Sequence, residues 1–130
     1  MAIDSSALIA ILLGEPLATR LSRAVVSDVR RLVSAMTALE TAVVIEARKG
    51  PAGGREFDLL MHRARMEVVP FTMEHFELAR EAYSKYGKGP HPAGLNLGDC
   101  CSYALARHSG EPLLFVAKDF SETDASPVPY

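Results

Sequence analysis

The sequence predicts an α/β fold: a three-layer α/β/α sandwich around a parallel sheet of four or five strands. Three observations lead there. Short apolar runs alternate with longer stretches of helical periodicity along the whole chain. Those runs are unbroken, as in strands covered on both faces, and do not alternate with polar residues. The chain has 130 residues, 48% hydrophobic and 23% charged, which suffices for one buried core but not for two, so a single domain over 1–130 is expected.

The elements follow in order. Ala2-Ile3-Asp4 forms a short strand, and Ser6 is placed to cap an apolar helix from Ala7 to Leu13 that Gly14 closes. Pro16 suits the first turn of a second helix, reaching about Val26. Leu32 to Ala35 reads as a buried strand, and Thr37-Ala38-Leu39-Glu40 has the form of a capping box opening a helix to Lys49, stopped by Gly50-Pro51. Phe57, Leu60, Met61 and Ala64 keep helical spacing, and Glu67 to Pro70 is the third strand. Thr72 caps a helix with Phe76, Ala79 and Tyr83 on one side, ending near Gly87. A Gly/Pro-rich loop, 88–94, leads to Asn96-Leu97-Gly98-Asp99, where a helix starts that Gly110 stops. Leu113 to Val116 is the fourth strand, and Ser126 to Tyr130 is expected to add a fifth at an edge, where proline is tolerated.

Composition excludes several functions. A net charge of -2 argues against nucleic-acid binding by bulk charge. The distribution is uneven, however. Arg48, Lys49, Arg55, Arg63 and Arg65 face only Glu56 and Asp58 in their stretch, and from Ala82 to Gly98 there are Lys85, Lys88 and His91 with no acid. No apolar run reaches the roughly 18 residues of a membrane span, and Met1-Ala2-Ile3-Asp4 lacks a basic leader, so a cytoplasmic protein is expected. Adjacent Cys100 and Cys101 suit buried small apolar residues better than a disulfide or a zinc site. The four histidines show no ligand spacing and are expected at the surface or at helix ends.

In an open parallel sheet, ligands bind beyond the carboxyl ends of the strands. Asp4 ends the first strand, Glu40 and Asp99 are each expected in the first turn of a helix, and Asp119 follows the fourth strand. Each has a simple local explanation, since acids cap helices and favour the helix dipole. Together they are harder to dismiss, because two carboxylates about 5 Å apart repel by roughly 3 kcal/mol at an effective dielectric near 20. Hard oxygen donors without Cys or His suit Mg²⁺ or Mn²⁺, and a carboxylate cage of this kind is common equipment for phosphodiester hydrolysis.

Ile3-Asp4-Ser5-Ser6, Ala38-Leu39-Glu40, Asn96-Leu97-Gly98-Asp99-Cys100 and Pro112-Leu113-Leu114-Phe115 with Asp119-Phe120 resemble the PIN-domain family over essentially the whole chain. The resemblance is closest to the ribonuclease toxins of VapBC-type toxin–antitoxin pairs. It implies a Mg²⁺- or Mn²⁺-dependent endoribonuclease that dimerises, acts on RNA and is held inactive by a VapB-type antitoxin. It assigns Asp4, Glu40, Asp99 and Asp119 to metal binding, Ser6 to a hydroxyl near the metal and Asn96 to shaping the site. Lys118 departs from the pattern, standing where many relatives have a further acid; it either weakens a second metal position or contacts RNA phosphate. Lys85 and Lys88 are candidates for RNA docking. Two other readings remain: a catalytically silent PIN-like interaction module, and a phosphoacceptor receiver domain, which would need an aspartate where Pro70-Phe71-Thr72 stands.

Overall fold

The computed structural model describes residues 1–89, 91–116 and 118–130. Four strands, β1 (Ala2–Ile3), β2 (Leu32–Ser34), β3 (Glu67–Val69) and β4 (Leu113–Leu114), form one sheet in the order β3-β2-β1-β4, and every pairing is parallel. The helices are α1 (Ser5–Leu12), α2 (Ala18–Ser27), α3 (Ala35–Lys49), α4 (Pro51–Arg63), α5 (Met73–Tyr86) and α6 (Leu97–Ser109), and a 3₁₀ helix covers Lys118–Glu122. Strand order steps outward from β1 to β3 and then returns to the other side of β1 for β4. The switch point therefore lies between β1 and β4, where a parallel sheet opens a crevice at its carboxyl edge.

The expected α/β/α layering is present. Ala2, Leu32 and Leu113 point into one core, shared with Ala79 of α5 and Ala104 and Leu105 of α6. Ile3, Val33 and Leu114, each one residue on, point into the other, with Leu8 of α1 and Leu21 and Val25 of α2. Arg31 ties the second layer to the sheet: its guanidinium and Nε donate to the carbonyls of Val25, Val26 and Ala64, capping the ends of α2 and α4. Both cysteines are free and buried, as expected. No helix among the described residues is long and apolar enough to cross a membrane.

Several local expectations change. Asp4, not Ser6, caps α1, accepting from the Ser6 amide. Helix α3 opens at Ala35, capped by Ser34, so Thr37 and Glu40 form no capping box and Glu40 sits in the second turn. The apolar stretch 35–39 reads equally as a strand end or a helix start, and the Ser34 hydroxyl decides it by bonding the Met36 amide. The fifth strand reduces to one bridge between Leu113 and Pro127. Phe76 and Tyr83 on α5 are half exposed, and β3 is an edge strand with its side chains largely in solvent. The expected loop 88–94 includes Pro90, which lies outside the described residues.

One histidine sits at a helix end, as expected, but is buried there. His75 is buried on α5, its ring edge-on to Phe71 and His108, and its Nδ1 has no hydrogen-bond partner. His108 Nε2 lies 3.3 Å from the Glu74 carboxylate. Desolvation, aided by the neighbouring His108 and opposed by Glu74, pulls the His75 pKa below its ordinary 6.5. The unfolded chain therefore takes up this proton before the folded one does. Stability from this group is intact above about pH 6.5 and is lost as pH falls. Urea unfolding at a series of pH values is expected to show that loss, and His75→Phe, which removes the titration and keeps an aromatic against Phe71, is expected to flatten it.

Candidate functional site

The site begins where β1 ends. Asp4 is 1% exposed, so its carboxylate must be met by donors or carry a large desolvation cost. Its Oδ2 accepts from the Ser6 amide at 3.0 Å and the Ser6 hydroxyl at 2.6 Å, and its Oδ1 accepts from the Ser102 hydroxyl at 2.6 Å. Ser6 Oγ also accepts from the Val116 amide, which fastens the exit of β4 to the exit of β1. The hydroxyl singled out in the sequence is thus committed to Asp4 and the backbone. Of the roughly four lone-pair positions of the Asp4 carboxylate, three are engaged and one, on Oδ1, remains.

Asp99 stands in the first turn of α6 in a capping box. Asn96 Oδ1 accepts from the Asp99 amide and Asp99 Oδ2 accepts from the Asn96 amide, both at 2.9 Å. The local explanation for Asp99 therefore holds, and Asp99 also senses two of the other acids. Desolvation, joined by the charges of Asp4 and Asp119 and a hydrogen bond with Asp119, raises the Asp99 pKa to about 7 against the lowering effect of the Asn96 amide. The fold thus brings Asp4, Asp99 and Asp119 within electrostatic reach of one another at the switch point.

Glu40 approaches from α3 on the neighbouring side. Its carboxylate lies against Gly98: a Cβ there would fall 2.6 Å from Oε2 and 2.7 Å from Oε1. Glycine at 98 leaves room for the Glu40 carboxylate where it stands, since a Cβ there would push it aside. Glu40 lines a cleft with Met36, Asn96, Leu97 and Cys101, and its charge joins desolvation in pushing the Cys101 thiol up to about 11. Glu40 Oε1 is buried without a hydrogen-bond partner. A buried acceptor left open is expensive unless a donor or a cation meets it.

As the side chains stand, no three His, Cys, Asp or Glu residues among those described converge tightly enough to hold an ion. The donor set still fits Mg²⁺ or Mn²⁺: the four acids are all hard oxygen donors, Glu40 Oε1 is open, and Gly98 leaves the space. Lys118 is exposed beside the half-buried Asp119 in the 3₁₀ helix, while Ala117 lies outside the described residues. Lys85 and Lys88 are also exposed. Lys85 borders a shallow depression with Arg80, Glu77 and Glu81, whereas the Lys88 amide bonds Leu95, next to Asn96. Asp124 is held by Tyr103 and Arg107 of α6 and fastens the chain after the 3₁₀ helix. Sequence reasoning missed Ser102 and Thr37, whose hydroxyls lie 3.0 Å apart beneath Asp4. Their one available signal was polarity inside otherwise apolar helix faces.

The PIN domain family model matches residues 1–126. Ribonuclease VapC30 of Mycobacterium tuberculosis is 54% identical over 128 residues, 98% of each chain. Ribonuclease VapC of Mycolicibacterium smegmatis is 53% identical, covering 98% of this chain and 99% of that one. Among solved structures, the Sarcin-Ricin loop cleaving toxin VapC20 of Mycobacterium tuberculosis superposes with a TM-score of 0.79 over 98% of both chains at 19% identity, a likeness of fold.

The raised pKa of Asp99 has a consequence for the metal-free protein. A carboxyl whose folded pKa exceeds its unfolded value stabilises the fold at low pH, and that contribution is lost as pH rises from about 4 toward about 7. Asp99→Asn escapes the loss. In chelator-treated samples its melting temperature is expected to match the parent near pH 4 and to exceed it above about pH 7. A gap that does not widen with pH would mean Asp99 is only a cap.

Proposed function

Because the chain belongs to the PIN-domain family and to its VapC ribonuclease branch, we propose that it is a metal-dependent endoribonuclease, the toxin of a type II toxin–antitoxin pair, carried by one domain. The observation that supports this most is the meeting of Asp4, Asp99 and Asp119 at the sheet's switch point beside a Glu40 oxygen with no partner. Asp4, Glu40, Asp99 and Asp119 would hold one or two Mg²⁺ or Mn²⁺ ions. Bound there, such an ion supplies Lewis-acid neutralisation of charge on the scissile phosphate and makes water more acidic.

The chain's own residues do the rest. Ser6 and Ser102 hold the Asp4 carboxylate in one orientation, with one Oδ1 position free. Asn96 occupies Oδ2 of Asp99 and so turns its other oxygen to the acids. Glu40 Oε1, which no protein donor engages, is left available as a ligand oxygen. Lys118, exposed next to Asp119, would meet RNA phosphate, and Lys88, on the loop that enters Asn96, would guide the strand, with Lys85 behind it. A second copy and a VapB-type antitoxin are the proposed protein partners. The exposed apolar side chains of Met36, Leu39 and Val43 on α3 and Phe76 and Tyr83 on α5 support surfaces that a monomer in water would not favour.

Two measurements test this reading. Mn²⁺ at about 100 times its Kd is expected to stabilise the parent by about 2.7 kcal/mol, seen as a higher melting temperature, with cleavage of a structured RNA that chelator stops. Asp99→Asn and Glu40→Gln should lose most of that stabilisation and the cleavage. A parent that neither takes up Mn²⁺ nor cuts RNA, or variants that do both as the parent does, would leave an interaction module instead. Separately, replacing Lys85 and Lys88 together by Ala is expected to lower the salt dependence of RNA binding by about two counterions; an unchanged slope removes both lysines from the docking surface.

A further inference from the structure

Beneath Asp4 the Ser102 hydroxyl that holds its carboxylate is itself met by a second buried hydroxyl, Thr37, which the proposed chemistry leaves unexplained. Ser102 Oγ, on α6, is 2.6 Å from Asp4 Oδ1 and 3.0 Å from Thr37 Oγ1, on α3. Ser102 is 1% exposed and Thr37 fully buried, so neither hydroxyl can turn to water. The carboxylate only accepts, which commits the single Ser102 proton to Asp4; Thr37 must then donate to Ser102. The hydroxyl chain has one direction, from α3 through α6 to β1. Thr37 lies one helical turn before Glu40, and Ser102 one turn after Asp99, so each hydroxyl shares a helix face with an acid.

We infer that Thr37 and Ser102 are positioning residues: a serial hydroxyl relay that sets the Asp4 carboxylate for the metal and couples it to the helices carrying Glu40 and Asp99. Satisfying a buried carboxylate would need only one donor on Oδ1. A second hydroxyl in series polarises the first and fixes its rotamer, which restricts where the remaining Oδ1 lone pair can point. Partners that orient ligands in this way affect the ion through the ligand they hold. The inference rests on the proposed metal reading and goes beyond it, since neither residue would touch ion or RNA.

The test uses the intact chain and four variants: Ser102→Ala, Thr37→Val, which keeps shape and removes the hydroxyl, Thr37→Ser, which keeps the hydroxyl, and the double variant Ser102→Ala/Thr37→Val. Mn²⁺ affinity is measured by calorimetry, metal-free melting temperature by circular dichroism, and kcat and KM on an RNA that the parent cuts. Ser102→Ala is expected to weaken Mn²⁺ binding by about tenfold or more and to lower kcat with KM for RNA unchanged. Thr37→Val should weaken it by a smaller factor, and Thr37→Ser should bind as the parent does. Because the hydroxyls act in series, the double variant should be no worse than Ser102→Ala. Losses that multiply in the double variant, or variants that lose melting temperature while keeping the parent's Mn²⁺ affinity, overturn the relay in favour of two separate packing effects. A parent that takes up no Mn²⁺ overturns the metal reading, and the relay with it; a parent that binds while the variants match it overturns the relay alone.

Discussion

Burying a carboxylate costs several kcal/mol unless donors meet it, and the enclosure of Asp4 organises everything around it. Its three donors come from two separate parts of the chain, Ser6 at the start of α1 and Ser102 within α6. Ser6 in turn receives the amide of Val116 beyond β4. Meeting the needs of one side chain therefore draws together the first strand, the last strand and the helix between them in sequence. The crevice at the switch point follows from that arrangement as much as from strand order.

The site is built on an unresolved electrostatic conflict. Asp99 is raised toward neutrality by burial and by Asp4 and Asp119, and Glu40 has an oxygen with no donor. Other acids among the described residues have their donors. Asp124 receives Tyr103 and Arg107, and Glu111 receives Arg30. Of the two buried polar atoms left without a partner among the described residues, Glu40 Oε1 and His75 Nδ1, only the first belongs to an acid of the candidate site. Gly98 leaves the Glu40 carboxylate its present place, which a side chain at 98 would force it to give up.

Much of this was legible in the sequence. Unbroken apolar runs gave away a doubly covered sheet, and acids following strands pointed to the edge where Asp4, Asp99 and Asp119 come within reach of one another. The misreadings have physical causes. Thr37 and Glu40 have the spacing of a capping box, but Ser34 competes for the same helix start and wins, because Thr37 is drawn inward to Ser102. Ser126 to Tyr130 has strand-like residues, yet prolines at 127 and 129 remove the amides a ladder needs, and a single bridge remains. His75 keeps its expected place at a helix end, but its burial depends on Phe71 and His108, which no local pattern brings to it. Ser102 was invisible for the same reason: its partner lies 98 residues away.

The shortness of the strands carries one last implication. β1 and β4 each span two residues, one for each core, and all four of those side chains are apolar. In a half-exposed sheet, polarity tells a strand which way to face; here both faces are greasy and offer no such instruction. The instruction comes from the next position along. Sliding β1 by one residue would drag Asp4 from its hydroxyl cage into a wall of leucine and valine, a penalty no gain in apolar contact offsets. The acid proposed for chemistry thus also serves as the alignment mark of the sheet, so selection for reactivity and selection for correct threading act on one and the same side chain.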